Sequence, residues 1–124
     1  MAAAKKSRKG TKILAVDDDL SDLRTIKMVL EKEGYDVYAA SDGRQALELV
    51  EEGGFALILL DIRMPELTGY ELVRLFREKL DGGTKIVFIS IVPQKEVSLK
   101  EVDGFVQKPF SPETLVEKVR KAIG

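Results

Sequence analysis

Cysteine and histidine are both missing from the 124 residues of this chain. Without cysteine, the chain can form no disulfide bond, hold no metal through a thiolate and offer no cysteine nucleophile. This composition is compatible with a reducing cytoplasm, which is the predicted localisation. Without histidine, the chain has no imidazole of its own to act as a general base or metal ligand. Any phosphohistidine chemistry would therefore need a second protein.

The chain also lacks both a large charge excess and a long hydrophobic run. Its formal net charge is −1, so there is no overall basic field to attract nucleic acid. Its apolar runs are far shorter than the stretch of about 20 residues that crosses a bilayer. We therefore predict a protein that contacts neither nucleic acid nor a membrane directly.

Residues 1–10 differ from the rest because they combine four positive charges with no apolar periodicity. We interpret them as a disordered basic tail rather than a nucleic-acid or membrane anchor, since they have neither aromatic residues nor an amphipathic face. No apolar segment follows that would make them a signal peptide. The remaining length, 11–124, fits one domain.

What the sequence does contain is a set of short apolar runs that each stop at a polar side chain. Three such runs end at Asp17, at Asp61 and at Ser90. Runs of this kind, rich in β-branched residues, are typical of buried strands in a parallel sheet. Ligands of open parallel sheets bind at the carboxyl ends of the strands, beside the point where the strand order reverses. We expect these three side chains to meet at that edge.

Helix signals alternate with the strand signals. Four residues with capping side chains open runs of helical apolar spacing: Asp19, Asp42, Thr68 and Ser111. Further strands are predicted at 35–39 and 103–107. This alternation predicts an α/β fold in which right-handed crossovers place helices on both faces of a parallel sheet.

The segment at 91–102 has no single interpretation. It offers Val97, Leu99 and Val102 as apolar positions, but it begins beside Pro93 and leaves room for barely two helical turns. A short fourth helix and an irregular loop that replaces it are both compatible with the sequence.

Carboxylates dominate the predicted site. Acidic groups gathered at one edge raise one another's proton affinity unless they share a cation. Mg2+ is the natural candidate, because it is a hard cation that prefers carboxylate, carbonyl and phosphate oxygens. We expect Asp18 and Asp61 to bind it directly and Asp17 to act through a water molecule.

Asp61 is also the candidate nucleophile, since its free oxygen can attack a phosphoryl group to form an aspartyl phosphate. Lys108 and the cation would offset the growing charge: three carboxylates, Mg2+ and one lysine sum formally to zero. Ser90 could donate its hydroxyl to a phosphoryl oxygen.

Each of these residues, taken alone, has an ordinary structural explanation as a helix cap or a solvated surface charge. Because several of them lie at the ends of separate predicted strands, a shared functional site is the better interpretation. Asp19 and Asp22, in contrast, are interpreted as a cap and a first-turn acid with no further role.

Four segments in order carry a family resemblance: ILAVDDD at 13–19, LLDIRMP at 59–65 with Gly69 following, FIS at 88–90 and FVQKPF at 105–110. Over about residues 11–123 the chain resembles a response-regulator receiver domain, the phosphoacceptor module of two-component signalling. The resemblance implies a doubly wound, flavodoxin-like sheet of five parallel strands in the order 2-1-3-4-5. It implies, as partners, a sensor histidine kinase or histidine phosphotransfer protein and an unknown downstream protein.

The resemblance also assigns a metal site. Asp17 and Asp18 correspond to the family's acidic pair, which holds Mg2+ together with Asp61. The backbone carbonyl of Arg63 would complete the ligand set.

The same resemblance assigns the switch. Asp61 accepts the phosphoryl group, Lys108 pairs with it, and Ser90 is the switch hydroxyl that moves toward it. Phe105 is the strand-5 aromatic that turns inward in response. The bond between Lys108 and Pro109 is expected to be cis.

Two departures from the family pattern stand out. Ile91 follows the switch hydroxyl where family members have a small residue, which predicts narrower access and slower phosphorylation and hydrolysis. The stretch between Ser90 and Lys108 is also shorter than usual, and the loss falls on the fourth helix. Because that helix is part of the family's output face, partner and dimer geometry do not transfer.

Two other classes of function stay open. A receiver-like interaction module that works without phosphorylation is supported by Ile91 and the shortened segment. A Mg2+-dependent aspartyl phosphatase is suggested by the pattern Asp17-x-Asp19, but it leaves Asp61 unexplained and has no chain for a cap over the substrate.

The leading hypothesis remains a phosphoacceptor switch that catalyses its own phosphorylation and slow dephosphorylation, rather than a conventional turnover enzyme. Since nothing after the terminal helix can form an output domain, we expect either a stand-alone regulator or a receiver that belongs to a longer protein.

Overall fold

Strands and helices alternate along residues 10–80 and 82–124, the parts of the chain that the computed structural model describes. The strands are β1 (Lys12–Val16), β2 (Asp36–Ala40), β3 (Phe55–Leu60), β4 (Lys85–Ser90) and β5 (Gly104–Gln107). The helices are α1 (Leu20–Lys32), α2 (Gly43–Val50), α3 (Gly69–Lys79) and α4 (Pro112–Ile123). The tail predicted at 1–10 lies, apart from Gly10, outside the described residues.

The five strands form one parallel sheet in the order β2-β1-β3-β4-β5. This confirms the doubly wound α/β fold expected from the sequence. The order reverses between β1 and β3, because β1 pairs with β2 on one side and with β3 on the other. The residues that directly follow β1 and β3 therefore lie at the switch point of the sheet, where ligands bind in folds of this type.

Each face of the sheet buries its own hydrophobic core. On one face, alternate strand residues such as Leu14 and Val16 pack with the inner sides of α2 and α3. On the other face, their neighbours Ile13 and Ala15 pack with α1 and α4. This alternation follows from the two-residue period of a strand.

The helices begin where their capping residues predict. Asp19 accepts hydrogen bonds from two backbone N–H groups of the first turn of α1, and Asp42 accepts one at the start of α2. Thr68 and Glu71 form a reciprocal capping box at α3. Ser111 caps α4, whose first residue is a proline.

No α-helix forms in residues 91–103, which we call the β4–β5 segment. It contains a single turn of 3-10 helix at Gln94–Glu96. The loop alternative is therefore correct for the missing fourth helix. Val97, Leu99 and Val102 nevertheless pack against the core on the α2 and α3 face, so the segment still covers the sheet.

Side chains of α3 hold the β4–β5 segment in place. The Tyr70 hydroxyl accepts a hydrogen bond from the backbone N–H of Ser98 at 3.1 Å, and the Tyr70 ring packs edge-on against Phe88 at 5.4 Å. Farther along α3, Arg77 donates to the Glu101 carbonyl at 3.0 Å and to the Asp103 carboxylate at 3.3 Å. The segment is therefore fixed by individual side chains rather than by a helix of its own.

Candidate functional site

Three carboxylates meet at the switch point of the sheet. Asp17 and Asp18 follow β1 and Asp61 follows β3, and one oxygen from each lies within 4.8 Å of the others. Asp17 is fully buried and Asp61 is 6% exposed, whereas Asp18 faces solvent. The parallel pairing of β1 with β3 brings residues from distant parts of the chain together at this edge.

The loop after β3 is fitted tightly around Asp61. A Cβ atom added to Gly69 would lie 2.7 Å from the Asp61 carbonyl oxygen, which is far below van der Waals contact. The Gly69 N–H donates to the Ile62 carbonyl at 2.8 Å, which joins the start of α3 to this loop. Within the loop, the Arg63 N–H donates to Asp61 Oδ1 at 3.4 Å. The role of the Arg63 carbonyl as a metal ligand stays a prediction.

Lys108 follows β5, and its side chain extends into the acidic cluster. Its Nζ lies 2.7 Å from Asp17 Oδ2, 2.7 Å from Asp22 Oδ2 and 3.8 Å from Asp61 Oδ2. The bond between Lys108 and Pro109 is cis, as expected. The structure thus brings together Asp17, Asp18, Asp61 and Lys108, the four charged side chains that the sequence singled out.

The environment of Asp61 raises the pKa of its carboxyl from 3.8 to about 7. Burial is the largest cause, the neighbouring Asp17 charge adds to it, and Lys108 opposes it. For Lys108, burial acts to lower the pKa, but hydrogen bonds to Asp17 and Asp22 outweigh burial and raise the pKa above its ordinary value. The cluster therefore holds more negative charge than its single lysine balances.

Ser90 ends β4, the strand next to β3, and its side chain is fully buried. Its Oγ accepts a hydrogen bond from the Val92 N–H at 3.1 Å. Phe105, the expected switch aromatic, is 4% exposed and lies opposite Phe88 in the pairing of β4 with β5. Ile91 is 61% exposed, and its predicted effect on access to the site stays a prediction.

Asp22 was assigned too small a role by sequence reasoning. Its place in the first turn of α1 is as expected, but its carboxylate also forms a close ion pair with Lys108. The signal available in the sequence was its position in the first turn of the helix that follows the acidic end of β1. Asp22 therefore belongs to the charge balance of the site.

The donor set suits a hard divalent cation. Carboxylate oxygens from Asp17, Asp18 and Asp61 lie close enough to share one ion, and Mg2+ prefers such oxygens. Asp19 is not part of this set, because its Oδ1 accepts from the N–H groups of Ser21 at 2.9 Å and Asp22 at 3.1 Å. This capping role weakens the phosphatase alternative, which needs Asp19 at the reaction centre.

Comparison with known proteins gives a family match over most of the chain. The family model for the response regulator receiver domain matches residues 13–120. The chain is similar to YkoG of Bacillus subtilis, an uncharacterized transcriptional regulatory protein, with 35% identity over 115 residues that cover 90% of this chain and 50% of YkoG. The chain thus spans about half the length of the curated relatives it matches.

Solved structures show the same fold. The chemotaxis protein CheY4 of Vibrio cholerae has a TM-score of 0.83 and 34% identity, with coverage of 91% of this chain and 98% of CheY4. The response regulator TrrA of Thermotoga maritima, solved in complex with Mg2+–BeF, has a TM-score of 0.81 and 32% identity. That match covers 90% of this chain and 98% of TrrA. No helix of the described residues is long and apolar enough to span a bilayer.

Proposed function

The chain belongs to the response regulator receiver family, and from this premise we propose that Asp61 is its phosphoacceptor. The observation that carries the proposal is the cluster of three carboxylates crossed by Lys108 at the switch point. Of the three carboxylates, Asp61 is the best placed to act as the nucleophile. Asp17 is engaged by Lys108 at 2.7 Å, and Asp18 faces solvent, whereas Asp61 lies at the centre of the strand edge with Lys108 3.8 Å away.

The same cluster is proposed to hold Mg2+. Its ligands would be Asp17, Asp18, Asp61 and the backbone carbonyl of Arg63. When bound, the ion supplies positive charge that favours the ionised carboxylates and offsets the charge of a transferring phosphoryl group. Burial and, after it, the neighbouring Asp17 charge raise the pKa of Asp61 to about 7, and a bound cation would favour its ionised form.

The proposed reaction is transfer of a phosphoryl group from a phosphohistidine of a partner protein. A carboxylate oxygen of Asp61 attacks phosphorus, the P–N bond breaks, and its electron pair leaves with the partner's imidazole, which then takes up a proton. Lys108 is placed to donate from Nζ to a phosphoryl oxygen, since it already lies between Asp17 and Asp61. Ser90, at the end of the adjacent strand, is the second donor.

The consequence of phosphorylation is proposed to be a change in binding. The added charge and acceptor oxygens at Asp61 attract the Ser90 hydroxyl, which moves toward them. The packing of the Phe105 side chain in β5 changes in response. The partner upstream would be a sensor histidine kinase or a histidine phosphotransfer protein, and the partner downstream another protein. We place this cycle in the cytoplasm.

Intact mass tests the proposal directly. Incubation of the chain with acetyl phosphate and Mg2+ should add the mass of one phosphoryl group, and omission of Mg2+ should prevent the gain. The variant Asp61→Asn should gain nothing, because its side chain has nearly the same shape as aspartate but its neutral amide oxygen is a poor nucleophile. Asp36→Asn is the matched control, since this exposed carboxylate begins β2 at the opposite edge of the sheet. A gain in Asp61→Asn equal to that of the unaltered chain would refute the assignment.

The β4–β5 segment is the observation that favours the alternative, an interaction module that works without phosphorylation. In this chain a loop replaces the helix that forms part of the family's output face, which supports a role in binding alone. The complete acidic cluster nevertheless favours the phosphoacceptor function. The same experiment separates the two functions. No phosphoryl gain under conditions where Mg2+ is shown to bind would favour the interaction module.

A further inference from the structure

The side-chain amide of Gln107 lies among four backbone carbonyl groups. Its Nε2 is 3.1 Å from the oxygen of Ser90, 3.2 Å from that of Ile91, 3.3 Å from that of Val92 and 3.3 Å from that of Lys108. Only the NH2 group can face four acceptors, since the amide oxygen would be repelled by all of them. Its two N–H bonds are therefore shared among these carbonyls.

This placement follows from the pairing of the last two strands. Gln107 is the final residue of β5, the edge strand, and lies opposite Ser90, the final residue of β4. The backbone N–H of Lys108 donates to the Ser90 carbonyl at 2.8 Å, so this carbonyl accepts from two donors. The chain then turns around the Gln107 amide, with the carbonyl groups of residues 90, 91 and 92 all directed at it.

The other side of the same turn holds the Ser90 hydroxyl. The Val92 N–H donates to Ser90 Oγ at 3.1 Å, and Ser90 is fully buried. A hydroxyl whose oxygen accepts in this way keeps its O–H bond for donation to another acceptor. Gln107 therefore binds the carbonyl groups of a turn whose N–H group fixes the hydroxyl.

We propose that Gln107 is a positioning residue for the reaction at Asp61. By holding the turn at 90–92, it keeps the Ser90 hydroxyl oriented as a donor. Its contact with the Lys108 carbonyl also connects this turn to Lys108, the other proposed donor to the phosphoryl group. This inference rests on the proposed function, because the acceptor of the Ser90 O–H bond is a phosphoryl oxygen. Gln107 itself touches no reacting atom.

A glutamine that only stabilised the edge of the sheet would affect folding but would have no specific link to Ser90. A positioning role predicts such a link. If Gln107 positions Ser90, removal of the Gln107 amide should slow phosphorylation only when residue 90 still carries a hydroxyl. A double-mutant cycle between the two residues measures this dependence.

The variants are Gln107→Met, which keeps the length of the side chain but donates nothing, and Gln107→Glu, whose carboxylate is repelled by the four carbonyl groups. Each is made alone and together with Ser90→Ala. Gln45→Met is the matched control, since Gln45 is an exposed glutamine of α2 whose side chain accepts from Ser41. Because Gln107 is exposed on an edge strand, we expect the Gln107 variants to fold, and Ser90→Ala removes only one oxygen atom.

The first measurement is the initial rate of phosphorylation by acetyl phosphate at saturating Mg2+, read as intact mass. With Ser90 present, Gln107→Met should lower the rate about 3- to 10-fold, the range expected for one lost hydrogen-bonded contact, and Gln107→Glu should lower it further. With Ser90→Ala, the Gln107 variants should change the rate less than about 2-fold. Equal factors in both backgrounds, or no effect in either, would overturn the inference.

The second measurement does not depend on phosphorylation. Hydrogen exchange of the Val92 amide, followed by NMR, should become about 3- to 10-fold faster in Gln107→Met and stay unchanged in Gln45→Met. Unchanged exchange at Val92 would overturn the positioning role. If the unaltered chain took up no phosphoryl group while Val92 responded as expected, the proposed function would fail but the structural link between Gln107 and the turn would stand.

Discussion

The acidic cluster and the β4–β5 segment lie near each other but are held in place in different ways. The cluster consists of charged side chains at the ends of central strands, so the sheet itself fixes their positions. The β4–β5 segment has no regular structure beyond one 3-10 turn, and it is held by a hydrogen bond that Tyr70 accepts and another that Arg77 donates. The positions of the three carboxylates therefore do not depend on the β4–β5 segment, whereas the Ser90 hydroxyl, which borders that segment, is bonded to it.

The largest difference between the two regions should appear when a buried charge loses its partner. Lys108→Met leaves Asp17, which is fully buried, without its ion pair. We expect a loss of about 3 kcal/mol in the free energy of unfolding at pH 7 with EDTA, because an unpaired buried charge is costly. Urea denaturation measures it.

Lys79→Met is the control for this prediction, because Lys79 forms an exposed ion pair with Glu51 at 3.0 Å. Its loss should cost less than about 1 kcal/mol. If both variants lost a similar amount of unfolding free energy, burial would not be what makes the ion pair of Lys108 more stabilising than that of Lys79.

The second difference concerns pH. The folded chain raises the pKa of Asp61 from 3.8 to about 7, so between these values the folded state keeps a proton that the unfolded chain has released. Without a metal, the contribution of Asp61 to stability is therefore present below pH 3.8 and is lost as the pH rises through about 7. Urea denaturation with EDTA should show a fall on the order of 1 to 3 kcal/mol between pH 4.5 and pH 7.5.

Asp61→Asn isolates this effect, because asparagine cannot titrate. The variant should lack the part of the fall that Asp61 causes, while Mg2+ should restore stability at the higher pH only in the unaltered chain. An identical pH profile for both proteins would argue against a raised pKa at this position.

The smallest effect should come from the β4–β5 segment. Tyr70→Phe removes the oxygen that accepts from the Ser98 N–H but keeps the ring contact with Phe88. We expect a change below about 1 kcal/mol in unfolding free energy, equal at both pH values, since this exposed hydrogen bond involves no titrating group. Hydrogen exchange of the Ser98 amide should nevertheless become faster. A pH-dependent change would show that the segment is coupled to the acidic cluster.

Most of the fold was predictable because strand ends and helix caps leave clear local signals. The apolar runs that stop at Asp17, Asp61 and Ser90 predicted three strand ends correctly, and the proline and short length at 91–102 left room for the loop that the structure contains. The cis bond before Pro109 was expected from the family resemblance alone.

The contacts of Asp22 and Gln107 were not predictable in the same way. Asp22 reaches Lys108 only because α1 and the end of β5 approach each other in the folded chain. Gln107 meets its carbonyl groups because the pairing of β4 with β5 places it opposite Ser90. Both depend on register and side-chain reach between distant parts of the chain, which spacing along one segment does not reveal.

The two ends of the β4–β5 segment are fastened separately, and this has a consequence for how the chain can vary. At its start, Val92 is bonded to Ser90, and at its end the Asp103 carboxylate accepts from the Ile86 N–H at 2.9 Å. Residues 93–96, which lie between these anchors, are all exposed, so we expect residues inserted there to leave both anchors in place. Doubling a flexible loop costs only about 0.6 kcal/mol in closure entropy. The chain can therefore lengthen at 93–96, and a new binding surface can be added there without rebuilding the reaction centre.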